Sequence, residues 1–197
     1  MSNIKKLVHG VGINDGIIPT YKNGKRLKEY EIWKSLLARC YSEYKHQIQP
    51  TYKDCIVSEN FKNYSYFYEW CQNQTFFNKN NYELDKDILI RNNKIYHEDL
   101  CVFVPKFINS LFVNSKAKRG LHPIGVTWHS REKLFYSRIT RYGIRHTIGR
   151  YTSSDEAFYN YKIQKELYIK DVANEYKSKI DEKVYLSLIN YEIGIND

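Results

Sequence analysis

At 197 residues the chain is long enough to hold one large or two small domains with real cores. Aromatic residues make up 16% of it, led by 19 tyrosines, which sets it apart from disordered sequences, and 31 Lys and Arg against 22 Asp and Glu leave a formal charge of +9. That balance suits nucleic acid as a partner, although a basic surface also serves solubility alone. No apolar run is long enough for a membrane span and the N-terminus lacks a signal-peptide stretch, so a cytoplasmic chain with no membrane partner is expected. Cys40, Cys55, Cys71 and Cys101 stand far apart with no Cys-x-x-Cys pair. Their spacing argues against a structural zinc site and for reduced, mostly buried thiols.

Residues 1–28 mix Gly10, Gly12, Gly16, Pro19 and Gly24 with small apolar clusters and read as an arm with turns. Lys22, Lys25, Arg26 and Lys28 make that arm basic, suited either to a phosphate backbone or to solvent. From Glu29 to Tyr44, Trp33, Leu36, Leu37, Cys40, Tyr41 and Tyr44 fall on helical spacing and predict an amphipathic helix whose aromatic stripe is core. Pro50 interrupts, Thr51–Val57 is a short extended segment, and Phe61–Gln72 repeats apolar residues at three and four for a second helix. Tyr82–Ile90 reads as a strand, Asn92–Asn93 as a turn, and Lys94–Tyr96 as the returning strand. His97–Cys101 closes that unit, Val102–Val104 is apolar, and Pro105 can open a helix.

Three runs rich in aromatic and β-branched residues follow: Ile124–His129, Leu134–Arg141 and Arg145–Tyr151. Ser130–Lys133 and Tyr142–Ile144 are short enough to be hairpin loops, with Gly143 supplying a positive φ. Thr152 is the predicted cap of a long helix from Asp155 to about Lys179, with Phe158, Tyr161, Tyr168, Val172 and Tyr176 inward. A last helix spans Asp181–Asn190. Alternation turns Ser137 and Ile139 toward the long helix and Tyr136, Arg138 and Thr140 away from it. Thr127, His129, Arg145 and Thr147 join that second, polar face. Between Lys118 and Tyr151 the bases are Lys118, Arg119, Arg131, Lys133, Arg138, Arg141, Arg145 and Arg150, and Glu132 is the sole acid. A β-ribbon fits the major groove, and arginine suits phosphate and guanine, so the candidate duplex contacts are Thr127, His129, Arg131, Lys133, Tyr136, Arg138, Thr140, Arg141, Arg145, Thr147 and Arg150.

Gly125–Val126, Tyr136 with Ile139, Ile148–Gly149 with Tyr151, Thr152, Asp155–Glu156, Ala157 and Tyr161 together resemble the ethylene-response-factor (Apetala-type, AP2/ERF) DNA-binding domain of plants and of phage homing endonucleases. The resemblance implies a sheet in the major groove of double-stranded DNA with the helix packed behind. The plant family's usual first-strand arginines are here Thr127 and His129. The preceding stretch resembles phage HNH homing endonucleases through Trp33, Arg39–Cys40–Tyr41, Tyr52 with Cys55, Phe67 with Trp70, Leu84–Asp85 and Ile108–Asn109.

The fold these resemblances imply is α+β: an HNH-like ββα-metal module with flanking helices, then a three-stranded antiparallel sheet plus helix. The implied division is an arm over 1–28, the HNH-like module over 29–117, and the reader with C-terminal helices over 118–197. In such a nuclease a histidine base follows an aspartate. Here the pair is Asp85–Lys86, and lysine holds its proton at neutral pH. Asp99 falls where an asparagine would orient the base, and His97 is a candidate substitute base. Asp85, Asp87 and Asn109 are the oxygen donors available to magnesium, the cofactor an active site would need. The expectation is a phage-type DNA-binding protein with a degenerate nuclease site. The alternatives are an active magnesium-dependent endonuclease or nickase, and a phage inhibitor that binds a host protein of a nucleic-acid-directed defence.

Overall fold

A computed structural model describes residues 7–112 and 121–197 and is mixed α+β, 40% helix and 22% strand in small sheets. The chain divides into two compact units, Met1–Lys106 and Phe107–Asp197. The sequence-based boundary at 117/118, with Lys118 and Arg119 beside it, lies outside the described residues.

In the first unit the core is aromatic. Helix α1 (Lys28–Tyr41) contributes Trp33, Leu36, Leu37 and Cys40, and helix α3 (Tyr64–Gln72) contributes Tyr64, Phe67 and Cys71. Trp33 is fully buried, and its indole N–H donates to the Phe61 carbonyl at 2.8 Å, so its one polar atom enters the core satisfied. The predicted helix 29–44 breaks at Ser42, which adopts an extended conformation, and a short helix α2 (Glu43–Ile48) follows. Asn63 caps α3 by accepting from the Tyr66 N–H at 3.0 Å, which moves that helix start from Phe61 to Tyr64.

Much of the basic arm is a packed element. Val8, Val11 and Ile18 rest against the aromatic core, and the Ile13 N–H donates to the Lys62 carbonyl at 2.8 Å. Gly12 lies so close to Leu37 and Trp33 that a Cβ there would sit 2.4 Å from Leu37 Cδ1. The arm's exposed part is a hairpin, β1 (Tyr21–Lys22) with β2 (Lys25–Arg26), turned by Asn23 and Gly24 at φ 52° and 73°.

The strand pairing differs from a hairpin of 82–90 with 94–96. Strand β3 (Ile56–Val57) pairs in parallel with β5 (Ile95–Tyr96), while β4 (Tyr82–Asp85) pairs antiparallel with β6 (Val102–Pro105), Asp85 opposite Val102. The reason lies in burial: Val102, Phe103 and Val104 are almost wholly inside, so β6 is the strand that pairing with β4 protects from water. Helix α4 (Lys106–Ser110) follows β6 directly in the chain.

The second unit is built on the sheet β7 (Val126–His129), β8 (Leu134–Arg141) and β9 (Ile144–Tyr151), in the order β7-β8-β9 and antiparallel throughout. Helix α5 (Ser154–Glu175) packs across one face through Ala157, Phe158, Tyr161, Tyr168 and Val172, and helix α6 (Glu182–Ile189) adds Val184 and Leu188. Ser153 caps α5, one residue after the predicted Thr152: it holds extended geometry, and its hydroxyl accepts from the Asp155 N–H at 3.2 Å. Gly125, at φ 79°, faces the Tyr161 ring so closely that a Cβ would come within 2.1 Å of it. That approach is the physical content of the Gly125 landmark: it lets the helix lie flat on the sheet.

Candidate nucleic-acid interface

The sheet face turned away from α5 is assembled by register. Thr127 is opposite Tyr136, Thr140 opposite Arg145, and Arg138 opposite Thr147, so these six share one face. Strict alternation along β9 would then put Arg150 on the helix side. A bulge prevents this. Ser137 pairs with Gly149 and Arg138 with Thr147, which leaves Ile148 as an extra residue in β9. Beyond it Arg150 is opposite Tyr136 and returns to the polar face.

Tyr136 is the centre of that face. Its ring carries the Arg138 guanidinium at 4.7 Å and the Arg150 guanidinium at 5.1 Å, with the His129 ring 5.1 Å away. Both guanidiniums are thereby held over one aromatic platform and keep N–H groups for a ligand, a pre-ordering that lowers the entropy lost on binding. Arg150 has a 60% exposed side chain. Arg131 and Lys133 are exposed on the β7–β8 hairpin, where Lys133 sits at φ 54° and its N–H donates to the His129 carbonyl at 2.8 Å. Thr127, Thr140, Arg145 and Thr147 are exposed along the strands.

Arg141 stands apart from this set. It lies on the helix side, where its Nη2 donates to the Gln164 side-chain oxygen at 2.9 Å and its guanidinium lies over Tyr168 at 5.6 Å. Its charge tethers the sheet to α5.

Glu132 is the residue that sequence reasoning left without a role. Its Oε2 accepts from the Tyr136 hydroxyl at 2.5 Å and lies 3.3 Å from Arg150 Nη1. The hydrogen bond from Tyr136, with the Arg150 charge nearby, holds its carboxyl below the usual range, and the same bond raises the Tyr136 phenol. The available signal was its isolation: one acid in a basic stretch, four residues from a strand tyrosine.

The nuclease-like residues are arranged differently. Asp85 Oδ1 accepts from the backbone N–H groups of Asp87 and Ile88 at 2.8 and 2.7 Å, closing the turn after β4, and burial raises its carboxyl above the usual range. Lys86 is buried, 6% exposed, with its ammonium 2.7 and 2.8 Å from the two Asp87 carboxylate oxygens. It also donates to the Asn93 carbonyl and lies over the Tyr96 ring at 5.8 Å. The Asn93 amide donates back to the carbonyls of Lys86 and Ile95, both at 2.8 Å, so lysine and asparagine clasp the loop between β4 and β5.

His97 is half-buried. Its Nδ1 accepts from the Asp99 N–H at 3.2 Å and stands 3.6 Å from the exposed Asp99 carboxylate and 3.7 Å from Glu98. Asn109 belongs to the second unit. The donor set fits magnesium poorly, because the ammonium ion already occupies both oxygens of Asp87 and Asp85 serves the backbone turn. Among the described residues, no group of three or more His, Cys, Asp or Glu side chains is arranged to hold a metal. The four cysteines are free and buried, and burial pushes the Cys40 thiol up to about 12, leaving it inert as a nucleophile.

No protein-family model matches this chain, and neither a curated protein nor a solved structure does. No helix among the described residues is long and apolar enough to cross a membrane.

Proposed function

We propose that this is a phage-type, duplex-DNA-binding protein whose reader is the polar face of β7–β9. The observation that carries the reading is the pair of guanidiniums, Arg138 and Arg150, stacked over Tyr136 with Arg145 and Thr147 on the same face. A twisted antiparallel ribbon presenting arginines matches the width of the major groove and the acceptor edge of guanine. Within this reading the AP2/ERF resemblance describes the sheet and helix, and the HNH resemblance describes a nuclease-derived module that no longer cuts. Lys86 there is an ammonium committed to Asp87 and Asn93, so it is in no state to accept a proton from water. A fluorescence-anisotropy titration of the full chain against random-sequence duplex tests the reading. Binding that weakens steeply with salt supports it, and no binding at low salt overturns it.

A second reading, a magnesium-dependent endonuclease, has one observation in its favour. The chain runs from β4, with Asp85 at its end, through a long loop to β6 and directly into α4, the strand–loop–strand–helix order of such modules. Plasmid incubation with magnesium or manganese separates the two. Cutting that is lost in Asp85→Ala and in His97→Ala establishes the nuclease, and intact plasmid beside normal duplex binding supports the degenerate site.

A further inference from the structure

On the cationic sheet face one group has the opposite charge and is held fixed. Glu132 sits in the β7–β8 loop with a 37% exposed side chain. Its two carboxylate oxygens differ. Oε2 is committed to the Tyr136 hydroxyl at 2.5 Å and to Arg150 at 3.3 Å. Among the described residues Oε1 has only His129 Nδ1 nearby, at 3.9 Å, beyond hydrogen-bond range, and that nitrogen already receives the Glu132 N–H at 3.3 Å. The carboxylate is therefore anchored through one oxygen and presents the other as an open acceptor. A mobile surface glutamate would only repel the phosphates of DNA. A fixed one, paired with Arg150 at 3.3 Å, has a smaller repulsive field and a defined direction.

The chemistry of a carboxylate limits what it can accept from. In the major groove the only donors on base edges are the exocyclic amino groups, N4 of cytosine and N6 of adenine. Guanine and thymine present oxygen there and would face Glu132 lone pair to lone pair. Arginines on the same face favour guanine and phosphate, so they add affinity at many sequences. Glu132 subtracts it wherever no amino group meets it.

We infer that Glu132 is a specificity-determining residue of this face, reading an exocyclic amino group of cytosine or adenine through Oε1 while Tyr136 and Arg150 hold it in place. The inference rests on the duplex-binding reading and deepens it.

The test compares wild type with Glu132→Gln by selection from a random duplex library, followed by titration of selected and scrambled duplexes. Glutamine keeps an oxygen for the Tyr136 hydroxyl but removes the charge, and thermal melting of both proteins checks that the fold is kept. Wild type should enrich cytosine or adenine over guanine and thymine at one position of one strand, with about five- to a hundred-fold discrimination there. Glu132→Gln should lose that preference at that position alone and bind scrambled duplex more tightly than wild type does. Wild type that binds duplexes with no preference, or a variant that keeps the preference unchanged, overturns the role of Glu132 while leaving duplex binding intact. Wild type that binds no duplex overturns the duplex reading itself, and this inference with it.

Discussion

The loop from Asp85 to Asp99 and the sheet face from Thr127 to Arg150 both gather charged side chains, and they use them in opposite ways. In the loop the two leading charges are turned onto the protein: Asp85 onto two backbone amides, and the Lys86 ammonium onto Asp87 and Asn93. On the sheet face Arg138 and Arg150 rest on an aromatic ring and the face remains open to water, with Arg150 60% exposed and Arg145 exposed on the strand. A cation bonded to its own backbone holds a fold, whereas a cation placed over a ring and half in water can exchange that water for a phosphate or a base. Charge content alone would not separate these regions. What separates them is where the hydrogen bonds go.

The largest effect should come from the frame under the sheet. Gly125→Ala must place a Cβ against the Tyr161 ring at a positive φ, and overpacking together with left-handed strain should cost about 2–5 kcal/mol of stability in urea unfolding. A variant as stable as wild type would mean that α5 does not depend on this close approach. Next, Lys86→Ala leaves the Asn93 carbonyl without its ammonium donor and should destabilise the chain by about 1–3 kcal/mol. Its affinity for duplex should match wild type. If melting is unchanged and binding falls instead, the loop is the ligand site and the contrast with the sheet face is reversed.

A smaller effect comes from a second lysine, partly buried. Lys165 on α5 has Tyr168 under its ammonium at 5.5 Å, and burial pushes its amine down to about 8. Its folded value lies below the unfolded one of about 10.4, so the unfolded chain binds more protons between them. Through this group, stability should rise as pH goes from about 8 toward 10.4, and Lys165→Met should remove that rise in pH-dependent unfolding. The same slope in both proteins would contradict the assignment.

The three strands β7–β9 and their two faces were legible in the sequence, because alternation over Leu134–Arg141 is regular and short loops left little freedom in pairing. Arg150 reached the polar face only through the bulge at Ile148, for which the neighbouring Gly149 is the one local signal, and Arg141 falls on the helix side by the same alternation as Ser137 and Ile139, where the Gln164 oxygen accepts its hydrogen bond. In the first unit, period and spacing identified the aromatic core but not the pairing. Val102–Val104 looked merely apolar, yet it is the partner of β4. The packing of the arm was hidden for a similar reason: Gly12 and Ile13 act through their backbone, which a side-chain pattern does not record. Lys86, a departure from the resembled nuclease pattern, became intelligible once Asp87 and Asn93 were seen to surround it.

The central claim is that Arg138 and Arg150, pre-ordered over Tyr136, meet the duplex. The direct measurement is the affinity for a fixed duplex across a salt series, for wild type, Arg138→Ala and Arg150→Ala, with melting curves as the control for folding. The account predicts a steep linear fall of log affinity with log salt for wild type, with each variant losing about 1–3 kcal/mol for a base contact or about one unit of slope for a phosphate contact. Two variants that fold normally and match the wild-type line at every salt concentration would contradict it.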